Sequence, residues 1–358
     1  MIGSKVVRED DLKPINIARL LGAIAFGLLA ALPQARAADA PLKLNIITAG
    51  NSLNNFPALL ARRMGFYKEA GLDVQMINVN GGALAITAVM NGNSDLLNAV
   101  FDHTIDMQAK HKPMTAIFQM NKVPGAMLVV SPKFTDKIKT IQDLAGQTVG
   151  ASAPGASSDF LVKFLLAKAG VDTTKVPVIG VGIGPSSVAA LEQGSVAAAV
   201  IYDPAASTMI ARHPDIRVLS DNRDPAVARA LFGGDYPGTS AYGMTSWIDT
   251  HPEECRRYTL AMAKTLHWLQ THTAEEVMAI AKDDYPGFDP AVFLVAIQKT
   301  LPGWNTSGMI DPKGAEAALQ VLRQFLPEVT NATIDLEKTY NNTFIRQAWG
   351  TLGLPIPQ

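Results

Sequence analysis

The sequence has little cysteine, no excess of positive charge, and no apolar run near its start that could span a membrane. Its one cysteine, Cys255, excludes an internal disulfide bond and a zinc site built from cysteines. With 31 Lys and Arg against 32 Asp and Glu, the chain lacks the concentrated basic surface that nucleic-acid binding requires. Residues 20–32 form an apolar run of only 13 residues, whereas a membrane span needs roughly 20.

That short run is typical of an export signal. Basic residues precede it, and Ala35-Arg36-Ala37 follow it with the small residues that a signal peptidase recognises. We therefore expect residues 1–37 to be removed on export to the periplasm. Removal leaves 26 basic and 29 acidic residues, a net charge near −3. No cysteine lies near the cleavage point, so no lipid anchor is expected there. A buried helix of a cytosolic protein is the alternative.

After residue 41 the sequence alternates short β-like runs with helical stretches that end at glycine. This alternation predicts an α/β protein with two lobes, each built on a mainly parallel sheet flanked by helices. The predicted strands are residues 43–47, 72–77, 96–100, 115–119, 148–151, 178–181 and 197–201. The predicted helices are residues 56–64, 83–90, 104–110, 158–169, 187–193 and 205–212.

Two extended apolar runs, residues 126–130 and 242–245, lack the helix that should follow each of them in a βαβ series. We expect these runs to be the two crossing segments of a hinge. Lobe one then comprises residues 42–125 and 241–358, and lobe two comprises residues 126–240. In the C-terminal part, apolar residues recur at spacings of three and four, which predicts a helical tail packed on lobe one.

Ligands of parallel α/β sheets bind beyond the carboxyl ends of the strands, where helix N-termini point. Five loops occupy such positions, and most are rich in Gly, Ser, Thr or Asn: residues 50–56, 101–104, 152–158, 182–187 and 202–205. None contains Arg or Lys, so the ligand is expected to be weakly charged, zwitterionic or neutral. The predicted ligand-binding residues are Ser52, Asn54, Asn55, Phe56, Phe101, Asp102, His103, Ser157, Ser158, Ser186, Tyr202 and Asp203.

Each of these residues also has a purely structural explanation. A serine at a helix start is usually a cap, so the site prediction depends on two or three serines acting together. Asp102 and Asp203 could meet a ligand amine, although Asp203 could equally cap the helix after Pro204. His103 fits a structural hydrogen bond better than a titrating role. Aromatic residues at strand ends, including Tyr242, are more often part of the core.

Four segments carry a resemblance to a known family: residues 63–74 (RMGFYKEAGLDV), 92–95 (GNSD), 141–146 (IQDLAG) and 190–196 (ALEQGSV) leading to Asp203-Pro204. In order and spacing they resemble the NMT1/THI5-like solute-binding family, which includes nitrate-, sulfonate- and taurine-binding proteins of ABC importers. The resemblance implies a type II periplasmic-binding-protein fold, a ligand between the lobes and delivery to a membrane permease. It places ligand contacts around Ser52–Asn55, Asp102–His103, Ser157–Ser158 and Tyr202–Asp203.

We therefore expect a monomeric binding protein without catalytic activity, cofactor or metal. Its expected ligand is a small polar, anionic or zwitterionic organic molecule, such as a sulfonate, a taurine-like compound or an aromatic carboxylate. A neutral heterocycle such as a pyrimidine is the alternative ligand, and a receptor is the alternative partner to the permease. A secreted esterase is the enzymatic alternative, because Gly50-Asn51-Ser52-Leu53 resembles a Gly-Asp-Ser-Leu block. Its Asp is replaced, however, and no Asp-x-x-His pair follows near the C-terminus.

Overall fold

The computed structural model describes residues 40–357, so the predicted export signal lies outside the described residues. The strands are β1 (Leu42–Ala49), β2 (Leu72–Val79), β3 (Leu96–Val100), β4 (Met114–Gln119), β5 (Ala126–Val130), β6 (Val149–Ala151), β7 (Val178–Gly180), β8 (Ala198–Tyr202), β9 (Val218–Asp221) and β10 (Thr239–Met244).

The helices alternate with these strands in the first two thirds of the described range and then follow one another. They are α1 (Phe56–Arg63), α2 (Phe66–Glu69), α3 (Gly82–Met90), α4 (Asp102–Ala109), α5 (Ser157–Lys168), α6 (Pro185–Gln193), α7 (Ala205–Arg212), α8 (Pro225–Phe232), α9 (Thr245–Thr250), α10 (Pro252–Gln270), α11 (Ala274–Ala281), α12 (Pro290–Thr300), α13 (Pro312–Leu322), α14 (Pro327–Thr330) and α15 (Thr343–Leu352). Within residues 40–357, none of them is both long and apolar enough to cross a membrane.

The first sheet has the strand order β2-β1-β3-β10-β4. Strand β1 pairs in parallel with β2, from Leu42 opposite Leu72 to Ala49 opposite Val79, and it also pairs in parallel with β3. Strand β10 is antiparallel to both β3 and β4. Four strands therefore share one direction, and their carboxyl ends lie at one edge of the sheet.

The second sheet repeats this arrangement with the order β7-β6-β8-β5-β9. Strand β6 is parallel to β7 and β8, while β5 is antiparallel to β8 and β9. Strands β3 and β8 hold the same central place in their sheets, and every residue of both is buried. Such continuous apolar strands are typical of parallel sheets covered on both faces. The predicted α/β class with two sheets flanked by helices is confirmed, and both sheets are mixed, because β10 and β5 run antiparallel to their neighbours.

The expected hinge segments are strands inside the sheets, so that prediction was wrong. Residues 126–130 form β5 in the second sheet, and residues 242–245 end β10 in the first. No helix follows β5 directly because β5 runs antiparallel to its neighbours, which removes the need for a βα crossover. The chain instead passes from the first sheet to the second between β4 and β5, at residues 120–125. It returns between β9 and β10.

The C-terminal helices do more than cover the first sheet. Helix α10 packs on α1, α2 and α15, as the apolar spacing predicted. Helix α13, however, contacts both α4 beside the first sheet and α5 and α8 beside the second. Strand β9 and helix α8 were not predicted; Asp224 caps α8 by accepting hydrogen bonds from the backbone N–H groups of Ala226 and Val227.

Candidate functional site

The carboxyl ends of the central strands of the two sheets meet around a narrow cavity of about 30 Å³. We call this the polar cavity, because most of its side chains carry hydrogen-bonding groups. The first sheet contributes the loop after β1, the start of α3, the end of β3 and the start of α4; the second contributes the loop after β6 and the end of β8. Its polar lining residues are Ser52, Asn54, Asn55, Asn98, His103, Ser152, Ser157, Ser158, Tyr202 and Thr239. No Lys or Arg is among the residues that line it.

The two asparagines after β1 are held by backbone carbonyls. The Asn54 amide donates to the carbonyl of Pro124 at 2.8 Å, and the Asn55 amide donates to that of Gly50 at 2.9 Å. Asn55 therefore does not cap α1 with its side chain, contrary to the expectation from its place in the sequence. Its Oδ1 atom is buried without a hydrogen-bond partner.

Asn98 is a site residue that the sequence prediction missed. It lies in the middle of β3, is fully buried and lines the polar cavity. Within residues 40–357, neither its Nδ2 nor its Oδ1 atom has a hydrogen-bond partner. A buried amide without partners costs free energy, so such a group calls for an explanation. The signal in the sequence was a polar residue inside the otherwise apolar run Leu-Leu-Asn-Ala-Val.

Asp102, His103 and Ser157 form a hydrogen-bonded group between the starts of α4 and α5. The Ser157 hydroxyl donates to Asp102 Oδ1 at 2.6 Å, and Tyr236 donates to Asp102 Oδ2 at 3.0 Å. His103 Nε2 lies 3.2 Å from the same serine oxygen. Because a hydroxyl has one hydrogen to donate, Nε2 must carry the proton that joins it to Ser157. The buried Nδ1 atom of His103 is then an acceptor without a partner.

Burial shifts both ionisable groups of this set toward their neutral forms. It raises the pKa of Asp102 to about 6, against the lowering effect of hydrogen bonds from Ser157 and Tyr236. It lowers the pKa of His103 to about 4, against the attraction of Asp106. At neutral pH the histidine is therefore uncharged, while the carboxylate is ionised close to its titration range.

The serines of the second sheet do not act as helix caps. Ser158 accepts from the backbone N–H of Ser152 at 2.9 Å, and the two hydroxyls lie 2.8 Å apart. Helix α5 begins here, and the first N–H groups of a helix have no acceptor within it. Helix α3 begins at Gly82, where a Cβ atom would lie 2.6 Å from His103 Nε2. Glycine is thus required for the histidine to occupy the cavity wall.

Three predicted residues lie away from the polar cavity. Phe56 and Phe101 are fully buried in the core, where Phe56 stacks on Trp304 with ring centroids 5.7 Å apart. Both rings pack in the core, because Phe56 begins α1 and Phe101 precedes α4, and the inner faces of these helices cover the sheet. Ser186 is exposed in the first turn of α6 and does not line the cavity.

Asp203 also lies outside the lining, because its carboxylate is fully engaged. It accepts from the backbone N–H and the hydroxyl of Ser207 at 2.9 and 2.7 Å, and it pairs with Arg223 at 3.1 Å. Both partners of this ion pair are buried. Arg223 lies 20 residues beyond Asp203 and outside the five predicted loops, so no local pattern indicated this ion pair.

Ser52 lines the polar cavity, with its carbonyl accepting from the Tyr285 hydroxyl at 3.0 Å. In the described part of the chain, no hydrogen bond joins the Ser52 hydroxyl to a histidine or a carboxylate. The esterase alternative therefore lacks the serine–base contact that it requires. Residues 40–357 also contain no group of three His, Cys, Asp or Glu side chains that could hold a metal ion.

Comparison with known proteins gives one family and several related structures. The NMT1/THI5-like family matches residues 52–276. A solved structure from Bordetella bronchiseptica RB50 is 32% identical, with a TM-score of 0.83 over 88% of this chain and 99% of that one. The periplasmic nitrate-binding protein NrtA of Synechocystis PCC 6803 is 15% identical, with a TM-score of 0.67 over 89% of this chain and 91% of that one.

The alkanesulfonate-binding protein SsuA of Xanthomonas axonopodis pv. citri, bound to MOPS, is 17% identical, with a TM-score of 0.67 over 86% of this chain and all of that one. SsuA and NrtA share the two-sheet fold of this chain, and their low sequence identity to it supports a likeness of fold alone. The family match covers more than half of the chain, including the segments that carried the resemblance in the sequence. The chain belongs to the NMT1/THI5-like family and has the fold of periplasmic binding proteins.

Proposed function

We propose that this protein is the solute-binding component of an ABC importer and captures a small polar organic ligand in the polar cavity. The supporting observation is the set of buried polar atoms without partners on Asn55, Asn98 and His103. Each leaves hydrogen-bonding capacity unused inside the protein, and a ligand that supplies the missing partners recovers that free energy. Sulfonates, taurine-like zwitterions and aromatic carboxylates all carry suitable groups.

A neutral heterocycle such as a pyrimidine is a second candidate ligand. It is favoured by the lining of the polar cavity, which contains no Lys or Arg to neutralise a strong anion. An amide such as that of Asn98 can both donate to and accept from a ring with carbonyl and N–H groups. Nitrate, which offers only acceptor atoms, uses less of this lining.

The two sheets are proposed to be the cores of two lobes, residues 42–125 with 241–358 and residues 126–240. Hydrogen bonds that join them across the cavity support closure around a ligand: the Leu53 N–H donates to the Asp203 carbonyl at 2.9 Å, and Ser157 donates to Asp102. Bending would then occur where the chain crosses between the sheets. Small-angle scattering should show a smaller radius of gyration with a verified ligand, and no compaction would exclude this mechanism.

We also propose that the protein is exported to the periplasm and delivers its ligand to an inner-membrane permease. Residues 1–37 have the pattern of an export signal, and the structural relatives NrtA and SsuA support a periplasmic place and a binding role. A monomer without a lipid anchor is proposed. Delivery to a receptor, in place of a permease, is distinguished by whether uptake of the ligand is lost when the protein is absent.

A thermal-shift screen tests the binding function directly. The panel comprises alkyl and aryl sulfonates, nitrate, aromatic carboxylates, amino acids and pyrimidines. A ligand at 100 times its Kd stabilises the folded state by about 2.7 kcal/mol, which raises the Tm measurably. A saturable shift from one class identifies the ligand group. If no class shifts the Tm and the protein hydrolyses a generic ester, the binding function is wrong.

A further inference from the structure

A second cavity adjoins the polar cavity and has a different lining. It has a volume of about 20 Å³ and shares Val100, Ser157 and Tyr202 with the polar cavity. Six aromatic residues surround it, and we call it the aromatic chamber: Phe160, Phe164, Tyr202, Phe232, Tyr236 and Phe325. Their rings are packed closely, since the centroids of Phe232 and Tyr236 lie 4.6 Å apart and those of Phe164 and Phe232 lie 5.6 Å apart.

One carboxyl side chain, that of Asp102, lines this aromatic chamber, and no Lys, Arg or His is among its lining residues. It is 2% exposed, and within residues 40–357 no Lys or Arg forms an ion pair with it. Its only side-chain partners are the neutral hydroxyls of Ser157 and Tyr236. A buried carboxylate without a counter-charge is costly, so proteins normally pair it. The aromatic rings of the chamber lie on the same side of the cavity wall as this carboxyl group, since they line one cavity with it.

We propose that the aromatic chamber binds the ammonium group of the ligand, with Asp102 as its counter-charge. Aromatic faces attract cations through their negative ring faces, and this attraction grows when the site is shielded from water. The ligand would then be a small amine, and its ammonium group would donate to a carboxylate that has acceptor capacity left. This inference rests on the proposed binding function and narrows it to one chemical class.

The polar cavity supplies the other end of the same ligand. Asn98 Nδ2 is a buried donor without a partner, and the starts of α3 and α5 present N–H groups that have no acceptor within their helices. Helix N-termini favour negative charge. Ser157 lines both cavities, so the two groups of one short ligand would lie on either side of this residue. The structure therefore fits a zwitterion, whose ammonium group lies beside Asp102 and whose anionic group lies in the polar cavity.

Matched pairs of probes test this inference, because each pair differs only in an ammonium group replaced by a methyl group. Isothermal titration calorimetry at pH 7.5 compares taurine with propane-1-sulfonate and β-alanine with butyrate. We expect the ammonium member of at least one pair to bind 10-fold or more tightly than its methyl partner. Equal or tighter binding by the methyl partners would overturn the inference.

Two variants then locate the discrimination. Asp102→Asn keeps an oxygen that accepts a hydrogen bond but removes the charge, so the preference for the ammonium probe should fall to less than threefold. Asp106→Asn is the matched control, since Asp106 is a buried acid one turn later on α4 and pairs with Lys110 at 2.7 Å outside both cavities. It should keep the preference. A preference that survives in Asp102→Asn and disappears in Asp106→Asn would contradict the assignment.

The outcome also separates this inference from the function on which it rests. If propane-1-sulfonate, an aromatic carboxylate or a pyrimidine binds while no ammonium probe does, the protein is a solute-binding protein but the aromatic chamber is not an ammonium site. If no probe of any class binds, the binding function itself fails, and the inference fails with it.

Discussion

Asp102 and Asp203 hold corresponding places in the two sheets but have different surroundings. Each follows the central strand of its sheet, β3 or β8, at the edge where the carboxyl ends meet. Both are buried, with 2% and 3% of their surfaces exposed. Asp203 is paired with Arg223, whereas within residues 40–357 the side-chain partners of Asp102 are the neutral hydroxyls of Ser157 and Tyr236. Repeated topology has thus given one acid a structural role and left the other without a counter-charge.

The comparison shows that an acid at a strand end is not a site by position alone. The Asp203 carboxylate has its capacity used by Ser207 and Arg223, so a ligand has little to add. The Asp102 carboxylate keeps acceptor capacity and lines the aromatic chamber, and its partner Ser157 lines both cavities. The two acids are therefore expected to contribute differently to the stability of the protein and to the way that this stability changes with pH.

The largest loss of stability is expected when Asp203 loses its partner Arg223. Arg223→Ala leaves Asp203 buried without its counter-charge, and breaking a buried ion pair in this way costs about 3–5 kcal/mol. Urea unfolding followed by circular dichroism measures the loss. Arg212→Ala is the control, because its pair with Glu192 is largely exposed and is worth at most about 1 kcal/mol. A loss from Arg223→Ala no larger than that of the control would show that the two acids do not differ.

The second effect concerns pH, where Asp102 and its neighbour His103 act in opposite directions. Burial raises the pKa of Asp102 from 3.8 to about 6, so the folded state binds a proton first and loses stability as the pH rises from about 4 to 6. Burial lowers the pKa of His103 from 6.5 to about 4, so the unfolded state binds a proton first and stability is lost as the pH falls from 6.5 to 4. Between about pH 4 and pH 6 the two groups therefore change the free energy of unfolding in opposite directions.

When one of the two groups is removed, the pH dependence of stability that the other group causes should become measurable. As the pH falls from 6.5 to 4.5, His103→Gln should gain stability relative to the wild type, and Asp102→Asn should lose stability relative to it. Each change should amount to about 2 kcal/mol, since one pKa unit corresponds to about 1.36 kcal/mol. Tyr202, Tyr236 and Tyr242 face Asp102 but do not titrate here, because burial raises the pKa of each. Parallel pH profiles of wild type and both variants would contradict the assignment.

Periodicity and glycine punctuation predicted most of the fold. Strand–helix alternation located two parallel sheets because each βα step leaves a local apolar pattern. It failed at β5 and β10, because pairing between strands distant in sequence decides whether an extended run lies in a sheet or in a hinge. Strand β9 was missed since only four residues form it, and its leading Val218 is exposed.

The candidate site was predictable only in part, for a related reason. Loops at strand ends gave Ser52, Asn55, His103 and the serines of α5, which line the polar cavity. No local pattern distinguishes Asp102 from Asp203, because Arg223 lies 20 residues beyond Asp203 and reaches it only through folding. The aromatic chamber was not predicted for the same reason, since its rings come from α5, the end of β8, α8 and the loop after it, and the turn after α13.

The smallest effect on stability, and the sharpest separation of folding from binding, is expected at Asn98. Asn98→Leu replaces an amide that has two buried atoms without partners by an apolar side chain of similar volume. Because the wild-type amide is desolvated without compensation, the variant should unfold with a free energy unchanged or higher by about 1 kcal/mol. Ligand affinity should nevertheless fall at least about 10-fold, since the bound ligand would lose its hydrogen bonds to this amide. Paired urea and calorimetric titrations measure both quantities on one preparation. If Asn98→Leu destabilises the protein strongly, the amide serves the core as Asp203 does, and the polar cavity loses its principal binding group.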